Sequence, residues 1–185
     1  MSEEKPPVLE DDTREPMTLM VEHRFPWLAL GLIGGIGLTL LASNFEDLLS
    51  KNLALSYFIP VIVYMASAVG QQTEIVYIRN LNKKRTHFLV YLVKELLLCG
   101  LMGLLFGALI GFFAYFMFQS MQMAISVGLA MALTMSIAPF ISLTVPTILK
   151  KVHRDPAVGT GPFVTVIQDF LSLLIYFAIA TVILF

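Results

Sequence analysis

Three carboxylates stand in or beside the long apolar runs of this 185-residue sequence: Glu74, Glu95 and Asp169. Glu95 follows Lys94 at the inner edge of its run and reads as half of a local interfacial pair. Asp169 has no such explanation. It falls nine residues beyond Thr160, about 13 Å along a helix at ~1.5 Å per residue, near the middle of its apolar stretch. A carboxylate at the bilayer centre costs about 2.5 kcal/mol or more on insertion scales, which makes it a functional-site hypothesis by default. No Lys or Arg in a span is available to pair with it. The alternative is a protonated Asp hydrogen-bonded between helices.

The neighbours of Asp169 favour an aqueous path. Gly161, Thr165, Asp169 and Ser172 recur at helical spacing and form one weakly polar stripe. Tyr64, Ser67, Gln71 and Glu74 form another on an earlier apolar segment, below Pro60, leading to its cytoplasmic end. At that end Glu74 either shapes the mouth of a path or is a solvated acid. Hard divalent cations take oxygen ligands, and Mg2+ keeps much of its water. One midplane carboxylate is too little for a bare ion, but two facing copies in a dimer could hold a hydrated one. These residues point to a cation path without choosing the ion.

The elements that must position them are transmembrane helices. The composition is 57% hydrophobic and only 14% charged, with a mean hydropathy of +0.81, which is outside the range of soluble domains. Crossing the ~30 Å hydrocarbon core takes about 20 helical residues. Five stretches qualify, at 26–45, 54–78, 92–118, 123–149 and 160–185. The expected fold is therefore an all-α integral membrane protein of five transmembrane helices. Pro26 and Pro162 fall near span starts, where a missing N–H is harmless, while Pro60, Pro139 and Pro146 lie deeper and are expected to bend their helices. With the N-terminus cytoplasmic, eleven Lys and Arg lie inside and only Lys51 outside, a strong positive-inside bias. The C-terminus is then outside. Residues 1–24 hold seven of the thirteen acids and no apolar core for a cleavable leader. They read as a disordered acidic cytoplasmic tail, ahead of a transport domain at 25–185. Gly31 and Gly35, and Gly103, Gly107 and Gly111, form small-residue ridges for close helix packing.

Several function classes drop out. The net charge of −1 suggests no nucleic acid. The single cysteine, Cys99, cannot form an intrachain disulfide and reads as a buried thiol. His23, His87 and His153 are scattered, and no nucleophile elbow, phosphate loop or catalytic carboxylate pair appears. An enzyme is not expected.

The sequence resembles the membrane domain of the MgtE family of magnesium channels and their eukaryotic solute-carrier relatives, from about Arg24 onward. Arg24-Phe25-Pro26-Trp27-Leu28 is similar to the family's opening of the first span and Asn44-Phe45-Glu46 to its close. Ile59-Pro60-Val61 with Gly70-Gln71-Gln72 resembles the second-span signature, and Lys94-Glu95 the start of the third. Asp155-Pro156-Ala157, Gly161-Pro162-Phe163 and Gln168-Asp169 resemble the family's ending most closely. The resemblance implies a homodimer with its pore along the interface, lined by the second and fifth spans. A hydrated Mg2+ would sit by Asp169, supported by Thr165 and Gly161 on the same helix and by Gln71 and Ser67 opposite. Two departures stand out. The family's Gly-Gly-Asn gives way to Ala66-Ser67-Ala68 ahead of Val69-Gly70, which bears on ion choice. The soluble helical domain and CBS pair that usually precede the membrane domain have no counterpart in this sequence, so gating is expected to differ or to reside in a partner.

The resulting expectation is a multi-pass cell-membrane protein (the inner membrane in a Gram-negative cell) that moves a divalent cation, Mg2+ first, as a lipid-embedded homodimer. Tyr64, Glu74 and Ser172 would line the pore or its cytoplasmic mouth. The competing readings are transport of another divalent cation, ion-coupled exchange, or a non-conducting scaffold or regulatory subunit.

Overall fold

The structure, a computed structural model, describes residues 16–81, 88–151 and 156–184. Most of the acidic tail, the basic 82–87 connection and Asp155 of the Asp-Pro-Ala motif lie outside the described residues. Six helices follow in order: α1 Met17–Ser43, α2 Glu46–Lys51, α3 Ala54–Leu81, α4 Phe88–Phe118, α5 Met121–Lys151 and α6 Pro156–Leu184. Among the described residues there is no strand. Five of the helices are long and apolar enough to cross a membrane, α2 being the exception, and this is a multi-pass membrane protein.

All five spans run past the sequence-based boundaries at one end or both. Helix α1 begins at Met17, so the last residues assigned to the tail are helical. Pro16 caps it in extended conformation and its carbonyl accepts from the Leu19 and Met20 N–H groups in the first turn. The expectation that Pro26 and Pro162 open their helices is corrected: both lie inside, in α1 and α6. Each leaves the carbonyl four residues earlier without its helical donor. The Asn44–Asp47 turn leads into α2, whose Glu46 and Asp47 stand in the first turn and Lys51 in the last, matching the helix dipole.

The core is built on α5, the most buried of the spans, which packs against α3, α4 and α6. Helices α4 and α5 form a hairpin whose link is two residues long. Gln119 takes positive φ (49°) and donates its N–H to the Tyr115 carbonyl at 2.7 Å. Ser120 then caps α5 by accepting from the Met123 N–H at 3.3 Å. The ridge Gly103, Gly107, Gly111 brings the two backbones together. A Cβ on Gly107 would lie 2.5 Å from the Gly128 carbonyl oxygen, and one on Gly103 2.6 Å from that of Ala132. The first span uses a different glycine from those expected: Gly34 abuts Val166 of α6, whereas Gly31 and Gly35 face open space. Helix α1 rests chiefly on α6.

Candidate functional site

Helices α3 and α6 run antiparallel, and their register brings the two polar stripes together. At the end nearest the start of α3, the Tyr176 hydroxyl donates to the Leu55 carbonyl at 2.8 Å, and Phe177 stacks on Phe45 at 4.6 Å. Nine residues down α3 from Phe58, itself buried with Leu55 and Ile62, is Ser67, whose hydroxyl donates to Asp169 Oδ1 at 2.5 Å. Ser67 is thirteen residues from either end of Ala54–Asn80, and Asp169 lies one residue from the middle of Pro156–Leu184. The Asp169 carboxylate, near the middle of α6, is thus met by a hydroxyl from the middle of α3.

One turn further on, Gln71 and Thr165 share the wall of a cavity of about 500 Å³ with Glu74, Ile75, Ile78, Arg79 and Gly161. Thr165 returns its hydroxyl to the Gly161 carbonyl at 2.9 Å, leaving its oxygen lone pairs for an incoming donor. Gly161 has no heavy atom within 4 Å of its missing Cβ, so the cavity reaches the α6 backbone there. The sequence-derived residues Gly161, Thr165, Gln71 and Glu74 therefore surround one space, with the Ser67–Asp169 contact about one helical turn further along α3 and α6.

Three assignments look different in three dimensions. Glu74 is only 4% exposed, so it belongs to the cavity wall and is not a solvated acid at a helix end. Ser172 is fully buried and donates to the Gln168 carbonyl at 2.7 Å, on the α5 side of the helix. Tyr64 is 68% exposed on the same side of α3 as Gln71 and Ile75, two turns before Gln71, and is not among the residues lining the cavity. Glu95 also departs from the local pair expected with Lys94. The Thr73 hydroxyl donates to Glu95 Oε2 at 2.9 Å, with Cys99 Sγ 3.9 Å from that hydroxyl. Adjacent helical residues project about 100° apart and do not face each other, so Lys94 turns outward while Glu95 reaches α3.

Two residues of the region were not singled out from the sequence. Arg79 entered only as a topology charge, yet its side chain shares the cavity with Glu74. Gln168 entered only beside Asp169, yet it is 1% exposed and turns its amide toward the Thr134 carbonyl and the Ser172 hydroxyl, both at 3.5 Å. A mid-span amide needs partners as much as a carboxylate does, and that was the available signal.

Among the described residues no group of three or more His, Cys, Asp or Glu side chains converges as a metal cage. The chemistry on offer is one carboxylate, hydroxyls, an amide and backbone carbonyls. That donor set suits an ion that keeps its hydration shell and is held through water.

Residues 59–179 match the family model MgtE, described as a divalent cation transporter. The chain is 34% identical over 162 residues to the magnesium transporter MgtE of Bacillus subtilis (strain 168), a match covering 86% of this chain and 36% of that protein. It is 32% identical over 165 residues to the magnesium transporter MgtE of Enterococcus faecalis, again 36% of that protein. With the magnesium transporter MgtE of Thermus thermophilus the identity is 27% over 165 residues. The chain thus spans 36% of the length of the curated relatives it matches.

Proposed function

The chain belongs to the MgtE family of divalent cation transporters, and from that premise we propose that it carries hydrated Mg2+ across the membrane, through a pore where α3 and α6 of two copies face one another. The observation that carries this reading is the Ser67–Asp169 contact in the middle of α3 and α6, next to a cavity lined by Gln71, Glu74, Thr165 and Gly161.

In this reading the ion enters the cavity with its water shell. Gln71 and Thr165 replace part of its outer hydration sphere with fixed oxygens. Asp169 supplies the charge that makes the midplane habitable for a dication. A second copy doubles that charge, so each of two carboxylates faces one half of the hydrated ion. Divalent over monovalent preference then follows from the charge product: a 2+ ion gains twice the Coulomb energy per carboxylate. Ser67 holds Asp169 by one hydroxyl and orients its second oxygen for the water shell. Arg79 at the cavity wall opposes cation accumulation there and sets a threshold that Glu74 offsets.

The deciding experiment is uptake into proteoliposomes containing the purified chain, read with a Mg2+ indicator, together with growth of a Mg2+-transport-deficient strain expressing it. Saturable Mg2+ entry and restored growth at low Mg2+ support the reading. A well-inserted protein that gives neither is a scaffold or regulatory subunit. Crosslinking of cysteines placed on α3 of two copies tests the pore location, because a monomer or a dimer joined elsewhere would give no product.

A further inference from the structure

Behind the Asp169 face, where α3, α5 and α6 meet, two buried side-chain oxygens have no hydrogen-bond partner among the described residues: Ser142 Oγ and Gln168 Oε1. Both residues are essentially inaccessible, at 0% and 1% exposure. Both oxygens look into one notch. The point where a Cβ on Gly70 would sit is 2.9 Å from Ser142 Oγ and 4.0 Å from Gln168 Oε1, with the Ala138 Cβ at 3.8 Å. Glycine at position 70 is what keeps that space open.

The orientation of these groups is not incidental. Other hydroxyls on α5 satisfy themselves on their own helix: Ser126 donates to the Gln122 carbonyl at 2.8 Å, Ser136 to Ala132 at 2.6 Å and Thr147 to Leu143 at 2.7 Å. Ser142 forgoes that bond and points its oxygen at α3. Its own carbonyl also lacks the usual helical donor, because Pro146 has no N–H. On α6, the Gln168 amide nitrogen is committed to the Thr134 carbonyl, which fixes Oε1 toward the notch. A buried amide oxygen and a buried hydroxyl left unmet cost about 1–3 kcal/mol each, so such groups are found paired or bridged.

We infer that one ordered water molecule occupies the notch over Gly70 and bridges Ser142 Oγ to Gln168 Oε1. The donor inventory selects water. Gln168 Oε1 can only accept, and Ser142 can donate or accept, so the bridging molecule must donate to one and can accept from the other. The surroundings named here hold no carboxylate to balance a cation. An internal water making two to four bonds is the ordinary solution where buried polar groups would otherwise go unmet. Since Gln168 precedes Asp169, this water ties the turn bearing the carboxylate to α5, in the space that Gly70 of α3 leaves open, and it does so whether or not the chain transports Mg2+.

A structure of the full chain in lipid nanodiscs, at a resolution that shows ordered water, tests this directly. The expected result is a peak within hydrogen-bond distance of both oxygens, unchanged when Na+ is replaced by choline and Mg2+ is removed with EDTA. A peak that disappears with the metal ions, or an empty notch with Ser142 bonded to its own helix, overturns the inference. A second measurement is independent of resolution. Ser142→Ala and Gln168→Met should each lower the apparent unfolding midpoint by about 3 °C, and the double variant by no more than the larger single loss, since either change already frees the bridge. Additive losses would overturn it, because additivity means the two groups do not share a partner.

Discussion

Replacing Asp169 by Asn removes a charge and leaves most of the shape. The Ser67 hydroxyl donates to Oδ1 of Asp169, and an Asn side chain keeps an oxygen in that place, so the α3–α6 contact survives. What is lost is attraction for the ion. A 2+ charge about 5 Å from a carboxylate, separated by its own water, gains about 1.7 kcal/mol even at the dielectric constant of bulk water. With two copies facing the ion the loss is about 3 kcal/mol, or about 200-fold in affinity, and a drier site raises it. Half-saturation of Mg2+ uptake in proteoliposomes, or Mg2+-induced thermal protection of the purified protein, reads this out. The variant should insert and elute like the parent while half-saturation moves up by at least two orders of magnitude or uptake vanishes. A monodisperse Asp169→Asn protein with parental half-saturation and rate would refute the assignment of the ion to the midplane.

Three further outcomes follow from the same geometry. Glu74→Gln should reduce flux roughly tenfold, with little change between low and high salt, because a charge in a buried wall is poorly screened; a defect erased by salt would return Glu74 to the solvent. Ser67→Ala should weaken Mg2+ dependence by about tenfold, the worth of one hydrogen bond to a charged group at about 1.5 kcal/mol, with no fall in the amount of inserted protein. Gly107→Val should prevent a stable fold, since its Cβ would lie 2.5 Å from the Gly128 carbonyl oxygen, a backbone atom that cannot swing aside; a monodisperse variant with parental thermal stability would show that the α4–α5 contact is looser than described.

The two polar stripes were legible in the sequence because helical periodicity survives in one dimension: residues three or four apart share a face whatever they pack against. That was enough to place Asp169 near the middle of its helix and to put Ser67 on the facing stripe, where the two meet, with Gln71 and Thr165 on one cavity wall. It was not enough to say how wide each stripe is. Ser172 obeys the spacing but lies on the side of Gln168, where α5 covers it, and only the packing of a third helix decides that. Glu74 was ambiguous for the same reason, since an acid near a helix end is solvated or walled in according to what neighbours it. Span boundaries fell short because interfacial residues such as Met17–Arg24 mix apolar with charged side chains, yet are part of the helix. Glycine ridges were visible, but not which one packs: Gly34 meets Val166, while Gly31 and Gly35 meet nothing within 4 Å.

The contact between Ser67 and Asp169 joins residues 102 positions apart, and that separation bears on the order in which the molecule is assembled. The α4–α5 hairpin closes through a two-residue link, so its backbone contacts form between neighbours in the chain at little cost in loop entropy. Pairing α3 with α6 must enclose that whole hairpin, a long loop whose closure gains nothing until the ends meet. Local contacts of this kind lead and distant ones follow. The expected sequence is a scaffold of α4 and α5 first, with α3 and α6 docking side by side onto α5 afterwards. The midplane carboxylate then finds its hydroxyl only after the rest of the bundle stands, and a nascent chain carries an unescorted Asp169 through the bilayer until that last closure.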